Sequence, residues 1–375
     1  MEEKTEEKKA LSTFDKYLSI WVALCMAVGI ILGVKFPQTV SFLGKLSIAQ
    51  VSIPIAVVLW IMIFPMMVQI DFTQIKSVRK EPIPLYITLF VNWIIKPFSM
   101  YLLSVLFFKF LFRPFITGEN AQGFVAGAVL LGAAPCTAMV FVWSYLSGGD
   151  PLYTLVQVAV NDLVVIVAFA PIVKFLLGLN KMVVPYSTIF YSVVIYVLIP
   201  VVLGYAARRH FIRTRGIDWL DNVFVKNMKN ITMAGLLATL IVIFMFQGKI
   251  IVSNPFSIFL VMIPLILQTY FIFFVGILLT KLFKIRYELA APAAMIGASN
   301  FFELAVATAV ILFGLSSPAT LATVVGVLVE VPIMLSLVAI FKANKKSFDF
   351  DGKSAAKAFV HEGVLPGASN KDINE

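Results

Sequence analysis

The sequence predicts an all-α polytopic membrane protein, with ten transmembrane helices in two inverted five-helix repeats. Three observations predict it. The chain is 60% hydrophobic and 13% charged, with a mean hydropathy of +0.96. Soluble chains are about 45–50% apolar and about 25% charged, so the excess must face lipid. Apolar runs approaching the ~20 residues of a spanning helix recur ten times. Two of these runs, five helices apart, are interrupted at matching places. The net charge of +10 does not point to nucleic acid, because the basic residues fall between apolar runs and form no continuous stripe. The expected partner is the lipid bilayer.

Taken in order, residues 1–17 read as a mixed-charge tail, Glu2 to Lys9 being its most charged part. No small-residue cleavage site follows the first apolar run, so that run is expected to be a retained helix. The first repeat, 18–179, holds Leu18 to Val34, Val51 to Ile70, Ile83 to Phe112, Ala121 to Tyr145 and Tyr153 to Leu179. The second, 180–341, holds Pro185 to Ala207, Met228 to Gln247, Phe256 to Phe283, Leu289 to Leu315 and Ala319 to Phe341. Residues 342–375 are polar and Gly-bearing and are expected to be a mobile tail. Alternate loops carry most of the Lys and Arg, including Lys76, Arg79, Lys80, Arg208, Arg209, Arg213, Lys281, Lys284 and Arg286. By the positive-inside rule both termini and these loops are cytoplasmic, and the plasma membrane is the expected location.

The repeat is read from an alignment within the chain. Gly132 to Pro151, continuing to Asn161-Asp162, lies against Gly297 to Pro318, continuing to Glu330. Each copy has a small-residue break, an apolar stretch, a Gly and Ser turn closed by Pro, and a helix with an acid deep inside. An odd number of spans per repeat sends the second copy into the membrane from the opposite side. Interrupted helices at corresponding positions of inverted halves point to a transporter's midplane binding site.

The first break, Gly132-Ala-Ala-Pro135-Cys136-Thr137-Ala-Met139, frees backbone carbonyls that only a protein-lined or hydrated cavity satisfies. Cys136 is therefore placed to meet whatever enters that cavity, and a thiolate selects soft, thiophilic species. Cys25 reads as a small buried hydrophobe, and two cysteines are too few for a disulfide framework or a thiol cage. The second break, Gly297-Ala-Ser299-Asn300-Phe-Phe-Glu303, sets an acid among apolar neighbours inside the bilayer. Such a group can take up and release a proton as access alternates. Ser299, Asn300 and Thr137 add neutral donors and acceptors. Asn92, Lys96, Asn161, Asp162 and Glu330 form an expected intramembrane polar network, in which Lys96 neutralises Asp162 or Glu330 as a structural ion pair or in a coupling role. His210 and His361 receive no role.

No Gly-rich loop ending in Lys and Ser or Thr points to an ATPase, no His, Cys and carboxylate cluster has metal-ligand spacing, and no Gly-x-Ser-x-Gly turn points to a hydrolase. Energy then comes from an ion gradient, a partner ATPase or downhill flow, and no cofactor is expected. Cys136 as an enzyme nucleophile lacks a base, because neither histidine lies in a membrane segment.

Both breaks, Pro135-Cys136-Thr-Ala-Met-Val-Phe-Val-Trp143 with Gly149-Asp150-Pro151, Gln157 and Asn161-Asp162, and Ala298-Ser299-Asn300-Phe301-Phe302-Glu303-Leu304-Ala305, resemble those of the arsenical-resistance-3 (Acr3) permeases, within the bile acid, arsenite and riboflavin transporter group. The resemblance spans Phe14 to Phe341. It implies broken, crossing fourth and ninth helices and export of arsenite, in some members antimonite, against inward proton flow. It places the family's essential cysteine, the As(III) ligand, on Cys136 and its essential glutamate on Glu303. Pro135 departs from the Arg common in that family, which leaves open how the cysteine is activated. The alternative within the same architecture is a sodium-coupled organic-anion symporter, for which Asn161, Asp162, Gln268 and Glu330 would supply oxygen ligands.

Overall fold

Proline, glycine and a few capping side chains fix where the helices start and stop. The computed structural model describes residues 18–48, 51–70, 81–137 and 139–348. The charged N-terminal tail, the basic residues Lys76, Arg79 and Lys80, and the tail from 349 onward lie outside the described residues. The helices are α1 Leu18–Lys35, α2 Pro37–Lys45, α3 Ile53–Gln69, α4 Ile83–Leu111, α5 Gly118–Gly132, α6 Val140–Leu146, α7 Pro151–Leu179, α8 Tyr186–Arg215, α9 Ile217–Ser253, α10 Pro255–Leu282, α11 Tyr287–Ala298, α12 Phe302–Phe313 and α13 Pro318–Ala343. A two-residue antiparallel pairing, Ser47–Ile48 with Val51–Ser52, precedes α3.

The two Gly and Ser turns read in the sequence are helix starts of one design. Asp150 accepts the Tyr153 amide at 2.6 Å ahead of Pro151, and Ser317 accepts the Thr320 amide at 3.1 Å ahead of Pro318. Each satisfies a first-turn N–H that has no partner inside its helix, while Pro occupies a position where its missing donor costs nothing. Gly314, at φ 85°, ends α12 in a backbone conformation that a side chain disfavours.

Among the described residues, six helices are long and apolar enough to cross a membrane: α4, α7, α8, α9, α10 and α13. The count reaches seven if α1 and α2, bent by 96° at Phe36, are taken as one span. Helix length therefore shows fewer spans than the ten expected. The shortfall falls on α3, which has 17 residues, and on the two broken segments, whose pieces are each too short to qualify. The polar tail also begins later than 342: α13 runs through Ala343, and Lys345–Phe348 form a turn that buries Phe348.

Inside α4 the turn Val91–Ile95 is wound one residue wide just before Pro97, and α8 does the same at Val194–Leu198 before Pro200. Proline has no N–H for the preceding carbonyl, and a wide turn re-registers the ladder. In α4 this turn leaves Asn92 and Lys96 both fully buried.

Two helix groups emerge. α3 lies against α8 and α9, and α1 against α9. Trp60 Nε1 donates to the Ile195 carbonyl at 3.0 Å and Arg208 to the Val68 carbonyl at 3.2 Å, joining α3 to α8. The other group is built on α13 with α5, α10 and α12, on α11 with α10, and on α4 with α5. Small residues permit its closest approach. A Cβ on Gly127 of α5 would stand 2.2 Å from the Ala319 carbonyl oxygen of α13, the backbone proximity that small residues allow in membranes. Gly127→Val should lower the thermal stability of the detergent-solubilised protein by about 1–3 kcal/mol or more. A melting temperature equal to wild type would refute that close crossing.

Candidate functional site

Both sequence breaks are breaks in the helices. The chain leaves the α-helix after Gly132 and re-enters it at Val140, and it leaves again after Ala298 and re-enters at Phe302. The two interruptions meet. Pro135 and Asn300 face each other as an antiparallel bridge, and the Phe301 N–H donates to the Ala134 carbonyl at 2.8 Å. That bond flanks the Pro135–Asn300 pair, which makes it the non-hydrogen-bonded kind, so the N–H that Pro135 lacks is not called on. Backbone groups freed by each break are thus met partly by the other, which is how irregular backbone is tolerated at membrane depth.

Polar side chains gather on Ser299. The Lys96 ammonium of α4 donates to the Ser299 carbonyl at 2.5 Å. The Ser299 hydroxyl donates to Glu330 Oε1 of α13, which also accepts the Asn300 amide at 3.3 Å. Cys136 is 2% exposed, and the antiparallel register of the Pro135–Asn300 bridge sets it opposite Ser299. Of the two partners expected for Lys96, the structure brings Glu330 near through Ser299. Asp162 is not joined to it: both Asp162 carboxylate oxygens are buried without a hydrogen-bond partner.

The rest of the polar network lies between α4 and α7. Asn92 Nδ2 donates to Asn161 Oδ1 at 3.0 Å, Trp93 Nε1 donates to the same oxygen at 3.2 Å, and the Asn161 amide donates to the Gln157 carbonyl at 2.8 Å. Thr88 Oγ1 donates to Gln157 Oε1 at 3.1 Å. Thr88, Gln157 and Trp93 have no place in the network expected from sequence. The four-residue spacing of Thr88, Asn92 and Lys96 on one helix, and of Gln157 and Asn161 on another, is the signal that marks the two polar stripes.

Several expected groups are buried and unsatisfied, each of which needs a reason. Thr137 Oγ1, Asn300 Oδ1, Glu303 Oε1 and Glu330 Oε2 all lack a hydrogen-bond partner. Thr137 and Asn300 sit in the breaks, and Glu303 sits in the first turn of α12. Gln268 of α10 is fully buried, with both amide atoms unpartnered. Among the described residues no three His, Cys, Asp or Glu side chains could together hold a metal ion.

A cleft of about 390 Å³ reaches the first break at Met139. Met62, Met66 and Gln69 of α3 and Asp221, Lys226, Thr232 and Leu236 of α9 line one side. Met139, Phe141 and Val142, at and just after the first break, and Leu155 of α7 line the other. The cleft therefore lies between the α3–α9 pair and the segment that runs from the first break into α7.

Residues 56–254 match the Sodium Bile acid symporter family. An arsenical-resistance protein Acr3 of Alkaliphilus metalliredigens is 52% identical over 342 residues, covering 91% of this chain and 96% of its own. This chain belongs to the Acr3 family. A second Acr3 protein, from Corynebacterium glutamicum, is 30% identical over 88% of each chain, and an uncharacterised transporter of Synechocystis is 47% identical over 92% of each. As an Acr3 family member the chain is a multi-pass membrane transporter and not an enzyme. Of the residues that carried the resemblance, Pro135, Cys136, Ser299 and Asn300 lie in the joined breaks, while Gln157, Asn161 and Asp162 lie on α7.

Proposed function

We propose that this transporter exports arsenite from the cytoplasm in exchange for protons, with Cys136 engaging As(III) and Glu303 carrying the proton. The observation that carries this reading is the junction of the two breaks, which sets one thiol opposite Ser299, in breaks that hold unpaired oxygens, with no metal-chelating cluster among the described residues. Arsenous acid is neutral near pH 7, pyramidal and thiophilic, so its site needs a sulfur and hydroxyl partners but no fixed countercharge. A single thiol exchanges with As(OH)₃ reversibly. One S–As bond forms, one As–O bond breaks, and the thiol proton leaves with that hydroxyl as water. Three thiolates would hold the arsenic too tightly for release. Thr137, Ser299 and Asn300 face the remaining hydroxyls. Antimonite has the same chemistry.

In this reading each broken pair, α5 with α6 and α11 with α12, is one span. Together with the bent first helix, α3 and the six long helices, they make ten spans in two inverted repeats, 18–179 and 180–341. The matched caps at Asp150 and Ser317 support the repeat, and contacts between the α6–α7 turn and the start of α11 support placing both at the cytoplasmic face of the cell membrane. The cleft lined by Asp221 and Lys226 then opens to the cytoplasm, where charged loops belong. Lys96, which donates to Ser299 opposite Cys136, supplies the cation that the family resemblance leads one to expect at the position of Pro135.

Everted vesicles test the coupling. For one-for-one exchange, a gradient of one pH unit drives about tenfold accumulation of a neutral substrate. Wild type should reach that level and lose it when the gradient is collapsed. Glu303→Gln should remain at the passive level. Accumulation that follows a Na⁺ gradient instead would favour the organic-anion symporter and its oxygen ligands Asn161, Asp162, Gln268 and Glu330.

A further inference from the structure

At the end of the bundle where α10 and α13 finish and α11 begins, a second pocket of about 510 Å³ has no part in the mechanism above. Arg286, Lys342, Lys345 and Lys346 line it against one carboxylate, Glu288. Its floor is aromatic. Tyr287 and Phe341 stand 4.9 Å apart between ring centroids, and Phe341 and Phe348 stand 5.3 Å apart. One of these cations is held on the rings, Lys345 Nζ lying 5.2 Å from the Tyr287 centroid, and Lys281 Nζ of α10, outside the lining, lies 5.3 Å from that of Phe348. Arg286 is partly neutralised by Glu81 at 3.2 Å, and the lysines carry the rest of the positive field. The pocket also sits at the first turn of α11, where the helix dipole favours an anion.

The adjoining surface decides what kind of anion fits. On α10, next to Lys281, Leu278 is 66% and Leu282 is 70% exposed, one helical turn apart, and Phe283 is exposed beyond them. An apolar strip on the helix whose Lys281 reaches the pocket residue Phe348 suits, with the basic pocket, a molecule with hydrocarbon chains and an anionic head. Basic pockets between helices at the membrane surface bind such headgroups. We propose that this pocket holds the phosphate of an anionic phospholipid, with its acyl chains laid along α10. The bound headgroup would join the end of α13, which carries Glu330, to the start of α11, which leads to Ser299. Tyr287 OH donates to the Ser147 carbonyl at 2.6 Å and the Asp150 amide donates to the Glu288 carbonyl at 2.9 Å, so the lipid would brace both broken segments at this end.

The test is a melting titration of delipidated, detergent-solubilised protein with phosphatidylglycerol, phosphatidylcholine or inorganic phosphate. Phosphatidylglycerol should raise the melting temperature and phosphatidylcholine should not. In Lys342→Gln/Lys345→Gln/Lys346→Gln, half-saturation should move to at least ~10-fold higher lipid while the lipid-free melting temperature stays at the wild-type value. If the triple variant folds poorly, Lys345→Gln/Lys346→Gln, both exposed, should show a smaller shift in the same direction. A control with equal charge loss elsewhere, Lys45→Gln/Lys181→Gln/Lys249→Gln, should respond like wild type. Equal stabilisation by the two lipids, an unshifted triple variant, or inorganic phosphate matching phosphatidylglycerol at equal concentration would each overturn the proposal, the last by making the site one for soluble anions.

Discussion

Everted vesicles carrying Cys136→Ser should accumulate no arsenite above the passive level under a pH gradient of one unit, at which the proposed exchange would take wild type to about tenfold. Serine keeps the volume and the hydrogen-bonding capacity of this 2%-exposed position and removes only the sulfur. The protein should therefore melt like wild type, which separates loss of transport from loss of fold. Cys136→Ala should behave as Cys136→Ser does, because As(III) exchanges onto sulfur and gains nothing comparable from an alcohol or a methyl group. Full-rate pumping by the serine variant would refute the sulfur role and leave a purely hydrogen-bonded site made by Thr137, Ser299 and Asn300.

The second large effect should come from the node at Ser299. Lys96 holds its carbonyl, while Glu330 holds its hydroxyl and the next amide. Removing either charged group leaves the other buried with its compensation gone, at a cost of about 3–5 kcal/mol. Lys96→Met and Glu330→Gln should each lower the melting temperature strongly. The double variant should lose less than the sum of the two, with a coupling of about 0.5–3 kcal/mol. Strict additivity would mean that the two groups act on Ser299 independently. Transport separates structure from coupling: a double variant that regains stability but not arsenite accumulation would assign the pair a part in exchange as well as in folding.

Much of this architecture is legible in the sequence because membrane helices are written by length and composition, and their interruptions by proline and small polar residues. Both breaks, both capped turns and the residues gathered at Ser299 stand out for that reason. Partner choice is harder to read. Lys96 faces two acids at comparable sequence depth, and only the crossing of α4 over the second break sends it toward Ser299 and Glu330, leaving Asp162 alone. Helix α2 was also hidden, since its apolar content is low and only Pro37 marks its start. The wide turn before Pro97 has no periodic signature, yet it turns Asn92 and Lys96 inward together. Phe348 looked like part of a polar tail because the aromatic cluster that receives it is assembled from residues distant in sequence.

The Pro135–Asn300 bridge has a consequence for heredity. The two halves of the chain descend along separate stretches of one gene, but their central residues share a single seam. A change in backbone shape at one break must be met at the other.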